Sequence, residues 1–322
     1  MPRLNDFGEA FLEHGYQLPG ATRNRVFPLA TKINLAYTSE PDPSGLPKAT
    51  VDEVEVFLAG TPSSRTNYFV EQYLVDGGRP GATRDAWIAQ RLSGEGARVP
   101  VYLQAGAFTL PVPVEPETFR ETSQHYAVFD QVVGSNPFNF FDPKSGVLLR
   151  AGRNDAGLQV QAAVLQGHDK QSGLATVGAD TMASAAQTFG PLTLSLYRYD
   201  GRRPDGLGTN RFWRQGFGIV AGDARWTSET VLQTGHDGSI DGGGTPGSSS
   251  GGFTQLRYEL NRRVFAVARY EGTNDPVNGI ARDFVGTLGY RMTRNSRLTV
   301  EDVVQHVPWT KHTLNTQYLV AY

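Results

Sequence analysis

Apolar and polar residues alternate with a period of two along most of this chain, the spacing of strands that show one face to an apolar phase and the other to a polar one. In FTQLRYEL, Thr254, Leu256, Tyr258 and Leu260 share one face while Gln255, Arg257 and Glu259 share the other. VFAVARYE sets Val264, Ala266, Ala268 and Tyr270 against Phe265, Val267, Arg269 and Glu271. LQVQAAV and LTLSLYRY repeat the pattern. About sixteen such segments can be placed, near 30–39, 51–60, 66–75, 84–92, 101–109, 145–152, 157–166, 180–189, 191–200, 211–222, 225–235, 251–261, 263–272, 281–292, 297–305 and 313–322. Most run to roughly nine to eleven residues, the length a tilted membrane strand requires. Around Asp302 the alternation fails, which implies a bulge there or a different register for this segment.

The connections between these segments alternate between long and short. PDPSGLPKAT is followed by TPSSR, the stretch 109–144 by RNDAG, and 167–179 by the pair Gly190–Pro191. DGRRPDGLGT then precedes GDA, HDGSIDGGGTPGSSSG precedes NRR, and GTNDPVNGI precedes TRNS; only SGEGARVP is long for a turn. Tight turns at one rim and long loops at the other are features of an outer-membrane barrel, and a soluble sandwich has no reason to sort its loops this way. The chain closes on LNTQYLVAY, whose alternating apolar residues and last aromatic resemble the insertion signal of bacterial outer-membrane proteins. Trp226, Tyr258, Tyr270 and Tyr290, near strand ends, suit the aromatic girdles at the two interfaces. The expected fold is therefore all-β: a transmembrane antiparallel β-barrel of about sixteen strands. Residues 1–28 form an N-terminal periplasmic or plug segment with a short helix, and 29–322 form the barrel, with 110–144 as a long loop after the fifth strand.

Composition narrows the chemistry. A net charge of −2 with 19% charged residues leaves no basic footprint for nucleic acid. There is no cysteine, which excludes disulfides, zinc–thiolate sites, iron–sulfur clusters and, within this chain, a CxxCH haem attachment. No apolar run approaches the roughly 18 residues of a membrane helix. Met1 does not lead into a charged and then an apolar stretch, so a signal peptide is expected to be already removed or absent. The mean hydropathy of −0.36 suits a soluble protein, but a barrel gives the same average because its two faces cancel.

The connection after the fifth strand, PVPVEPETFRETSQHYAVFDQVVGSNPFNFFDPKSG, is far longer than an ordinary loop and too aromatic for a solvated one. ETFRETSQHYAVFDQVV reads as a short helix. The arrangement resembles sixteen-stranded porins, in which the loop between strands five and six folds into the lumen and narrows it. That resemblance makes Glu115, Glu117, Arg120, Glu121, His125 and Asp130 candidate pore charges, with Arg257, Glu259 and Arg269 facing them from the wall. The alternative is a lid packed on the rim. Mixed charges at Glu53, Glu55, Glu71, Arg91, Arg214, Glu229, Glu271 and Arg291 read as ion pairs filling a wet interior. QGHD and TGHD place His168–Asp169 and His236–Asp237 where strands leave for the long-loop rim, a weak candidate for a divalent metal. No GxSxG occurs, and no catalytic role is expected.

The front segment PRLNDFGEAFLEHGYQLPG differs from the rest: Leu4, Phe7, Phe11 and Leu12 fall at helical spacing. Through Pro2, Leu4, Asn5, Phe7, Gly8, Phe11, Gly15 and Tyr16 it resembles the phrase that follows the haem motif in bacterial monohaem cytochrome c–porin fusions. The resemblance implies that Leu4, Phe7, Phe11, His14 and Tyr16 pack against a haem, with His14 a candidate axial ligand. CxxCH itself is missing, so haem c would need a longer form of the chain or a partner. Two functions follow in a bacterial outer membrane. One is the porin module of an electron conduit, with the lipid bilayer and a periplasmic cytochrome or other redox partner around it. The other is a passive diffusion porin for small polar solutes. A soluble β-rich binding module is the third reading.

Overall fold

The alternating segments close into a cylinder. The computed structural model describes residues 29–41, 47–94, 96–116, 120–153, 157–166, 178–205, 208–306 and 310–321. Strand segments run in order as β1 (Leu29–Pro41), β2 (Pro47–Ser63), β3 (Thr66–Asp76), β4 (Arg79–Pro80), β5 (Thr83–Arg91), β6 (Val101–Phe108), β7 (Lys144–Ala151) and β8 (Gly157–Leu165). They continue as β9 (Asp180–Phe189), β10 (Leu192–Asp205), β11 (Gly208–Gly222), β12 (Trp226–Asp237), β13 (Gly247–Glu259), β14 (Val264–Asp275), β15 (Gly279–Arg291), β16 (Ser296–Gln305) and β17 (Lys311–Ala321). β4 is a two-residue rung against the end of β3, so sixteen of the seventeen segments build the wall. Each wall strand pairs antiparallel with its neighbours in the chain. β1 pairs with β2 and also with β17, from Lys32↔Ala321 to Thr38↔Asn315. That last seam removes the free edges an open sheet would expose.

The two faces of the wall invert the usual order of a globular protein. Leu196, Leu232 and Leu256 point outward and are 61%, 58% and 48% exposed, whereas Arg214, Arg269 and Glu271 point inward and are 1% exposed or less. Such a skin is stable only against lipid, with a polar bore inside. Close packing across the ladder helps to hold the inner face. Phe265 stands opposite Gly289, and a Cβ on Gly289 would lie 2.1 Å from its ring. The phenylalanine therefore lies across bare backbone. Gly289→Ala is expected to cost about 1–3 kcal/mol through overpacking, read as an earlier urea midpoint for the barrel.

Several strands run further than the apolar pattern indicates. Only 206–207 separate β10 from β11 and only 276–278 separate β14 from β15, so most of DGRRPDGLGT and GTNDPVNGI is ladder rather than loop. The long-loop rim keeps 109–143, 166–179 and 238–246, while the opposite rim has turns such as 64–65, 190–191 and 223–225. Beyond the lipid band both faces meet water, so alternation fades although strand pairing continues. Asp302 is also not at a bulge. β16 and β17 stay in register through Asp302↔Leu314, and Asp302 points outward to His312 Nδ1 at 3.4 Å, near the end of its strand. Register shifts lie elsewhere, among them those between Asn34 and Leu35 of β1, between Val54 and Glu55 of β2 and between Val70 and Gln72 of β3. The expected N-terminal segment 1–28, with Leu4, Phe7, Phe11, His14 and Tyr16, lies outside the described residues, as do Glu117, His168 and Asp169.

Candidate functional site

The connection 109–143 folds into the lumen and lies against the inner wall of β10–β16. Its helix is shorter than the sequence suggested: α1 covers Ala127–Asp130 only. The turns on either side are held instead by wall side chains that satisfy its backbone. The Glu301 carboxylate accepts from the amides of Ser123 and Gln124, both at 2.8 Å, and Glu271 accepts from that of Ala127 at 3.1 Å. Arg269 donates to the carbonyls of Gln124 and His125, each at 2.9 Å, and to the Thr122 hydroxyl at 2.8 Å. Buried backbone groups without such partners would each cost on the order of 1–3 kcal/mol. These charge-assisted bonds are therefore what allows an irregular segment inside the barrel.

An aromatic cluster seals the same side. Phe138 packs on Tyr199 and Phe212 at centroid distances of 4.2 and 5.0 Å, and Tyr126 stacks on Phe253 at 4.4 Å. The tyrosine hydroxyls are not wasted: Tyr197 donates to Gln233 at 2.8 Å and Tyr199 to Asp180 at 2.6 Å. Phe138→Ala is expected to cost about 3–5 kcal/mol, as for other buried phenylalanines, measured by urea unfolding of the refolded barrel. A second clamp sits above it. Asp237, fully buried, pairs with Arg214 at 2.8 Å and accepts from Asn136 at 2.5 Å and Asn210 at 3.2 Å. Loop 238–246 adds the Ile240 carbonyl, which accepts from Ser135 at 2.8 Å. That loop is itself tied: the Thr245 hydroxyl and the amides of Gly243 and Thr245 hold the Asp241 carboxyl below its usual range. Gly134 makes the approach possible, with φ +58° and space for no Cβ within 2.0 Å of the Ile240 carbonyl oxygen.

The candidate charges divide accordingly. Glu115 is half-buried at the entry of the loop. Arg120 is a knot of the loop itself, donating to the carbonyls of Thr122, Pro116 and Ser123. Glu121 pairs with Arg257, which also pairs with Glu259, and Glu259 takes both ends of Arg291 at 2.7 and 2.8 Å. These side chains and Arg269 are locked rather than presented. Of the proposed pore charges, His125 and Asp130, 3.5 Å apart, face open space. They border both of two cavities on the opposite side of the loop. One, about 440 Å³, reaches the wall at Asp76 and Arg84 and includes Asp142; the other, about 360 Å³, reaches Lys48, Thr50, Asp52 and Gln317. The passage-facing residues Lys48, Asp52, Asp76, Arg84 and Asp142 were absent from the sequence reading. Asp52 faces inward beside Glu53 because the register slips from Asn34↔Glu53 to Leu35↔Val51, and Asn34 donates to it at 3.2 Å.

The metal reading of TGHD is corrected by strand geometry. Adjacent residues of β12 leave on opposite faces: Asp237 enters the buried clamp, while His236 points outward beside Trp213 and meets Ser248 Oγ at 3.3 Å. The pair cannot chelate one ion. Among the described residues no three His, Asp or Glu side chains group as a metal site.

Solved structures with this architecture bear on what such a lumen is. The chain is similar to the outer membrane channel DcaP of Acinetobacter baumannii, with a TM-score of 0.68 at 9% identity over 94% of this chain and 100% of that one. It is similar to the anion-selective porin of Comamonas acidovorans, with a TM-score of 0.68 at 12% identity over 92% and 99%. OmpF of Salmonella typhi, solved in complex with daunomycin, gives 0.68 at 11% over 92% and 97%. The fold is that of a bacterial outer-membrane porin. No family model matches the sequence, and no curated protein matches it. Identities this low carry the barrel and nothing finer, and they give no support to the cytochrome-bearing type.

Proposed function

We propose that this chain is a passive diffusion porin of a bacterial outer membrane, admitting small polar solutes. One observation carries the reading: the infolded loop fills one side of the bore with dry aromatic packing and leaves polar cavities on the other, bordered by His125 and Asp130. A diffusion pore needs this arrangement, a wet passage narrowed by a segment too well anchored to move aside. Vesicles reconstituted with the chain should swell in isotonic monosaccharide or amino-acid solutions and stay closed to long oligosaccharides. Swelling no faster than in lipid-only vesicles would overturn the proposal. The electron-conduit reading stands on the resemblance of residues 2–16 alone. A c-type haem absorbance band in native outer membranes, carried by a longer form of this chain or a partner bound to it, would favour it.

A further inference from the structure

The porin fold does not fix which sign of charge passes, since the lumen charges decide that. Most basic groups of the lumen are already committed on the sealed side. Arg203 pairs with Asp180 at 2.7 Å, Arg214 with Asp237 at 2.8 Å, Arg269 with Glu271 at 3.2 Å and Arg291 with Glu259 at 2.7 Å. Each carries its charge into the wall rather than into the passage. On the open side the balance is different. The two cavities that share His125 and Asp130 are also faced by Asp52, Asp76 and Asp142. The formal cations there are Lys48 and Arg84, and the Arg84 guanidinium donates to the Phe141 carbonyl at 3.0 Å and lies over the Phe141 ring.

We infer that the passage prefers small cations over anions, with Asp130 as the acidic residue common to both cavities and the side chain that sets the preference. The inference rests on the diffusion-porin reading and adds the class of solute. Its geometry is specific. Asp130 ends α1 at the inner margin of the loop with half its side chain in solvent, and Asp52, at the bulge in β2, lines one of the two cavities with it. Carboxylates lining a wet passage with low-dielectric walls raise the local concentration of cations and repel anions. The anion-selective porin of Comamonas acidovorans shares the fold, so the sign must come from side chains such as these.

The test is the reversal potential of single channels in a planar bilayer between 0.1 and 0.5 M KCl (chosen concentrations), where screening over about 4–10 Å leaves the bore charges effective. Potassium should permeate about threefold or more better than chloride. Asp130→Asn should roughly halve that ratio, and Asp130→Lys should bring it to about unity or reverse it. Asp130 is half-exposed and, among the described residues, pairs with His125, so both variants should refold with wild-type heat-modifiable migration. Channels that are unselective or prefer chloride would overturn the inference while leaving the porin reading intact. A cation preference that Asp130→Lys leaves unchanged would overturn the assignment to this residue. Absence of any channel would overturn the porin reading and this one with it.

Discussion

Arg269→Met is expected to cost the barrel about 3–5 kcal/mol, the loss typical when one partner is removed from a buried ion pair, and to raise its conductance. Among the described residues, no other wall side chain bonds to as many groups of the loop. Its guanidinium is fully buried, pairs with Glu271, and donates to two loop carbonyls and the Thr122 hydroxyl. Methionine fills a similar volume but takes the counter-ion from the Glu271 carboxylate and this donor from the His125 carbonyl, leaving the Gln124 carbonyl with the Thr122 hydroxyl at 2.9 Å. The turn 122–125 then keeps its amide bonds to Glu301 but loses those to Arg269, and the segment narrowing the bore is freer to move. Urea unfolding in detergent micelles reads the first effect and single-channel conductance the second. A loss below about 1 kcal/mol with unchanged conductance would mean that the carboxylate anchors and the aromatic contacts hold the loop without Arg269.

Leu232→Arg is expected to cost about 2–4 kcal/mol, the range for an arginine on the lipid face near the bilayer midplane. Leu232 is 58% exposed on the outer skin and stands opposite Phe217, itself opposite Leu196. This apolar row lies between Trp226 at the turn rim and Trp213 toward the loop rim. His236→Arg, on the same face of the same strand but nearer the loop rim, should cost no more than about 1 kcal/mol. The contrast between two residues of β12 separates a lipid band from a merely hydrophobic surface. Equal costs at both positions would contradict the placement of the band.

The sequence pattern made the barrel legible because lipid and water impose opposite demands on neighbouring residues. Leu256 and Tyr258 against Gln255 and Arg257 is enough to assign both faces of β13. The strand ends were less legible, as in β10 and β14, because above the lipid band no apolar requirement marks the ladder. The infolding of 109–143 could be anticipated from the resemblance to sixteen-stranded porins, beside the alternative of a rim lid, but its anchors could not. Glu301, Glu271 and Asp237 act on backbone and side chains more than 90 residues away in the chain. Several candidate pore charges, Glu121, Arg257 and Arg269 among them, proved to be locked in pairs, with a partner two residues along the same strand or across from loop to wall. The His236–Asp237 error was avoidable: period-two geometry already puts the two side chains on opposite faces. Asp52 was hidden by a register slip that alternation alone does not reveal.

In the proposed porin, solutes pass on one side of the loop only, between Asp130 and the wall built by β1–β3, β5 and β17. Because the chain has no cysteine, a single Asp130→Cys variant can be modified in an open channel by a bulky methanethiosulfonate reagent, with Ser249→Cys, 5% exposed behind the loop, as its counterpart. The account predicts that the reagent blocks most of the current through the first variant and leaves the second unlabelled and unblocked. Full labelling at Asp130→Cys with undiminished current, or ready block through Ser249→Cys, would contradict it.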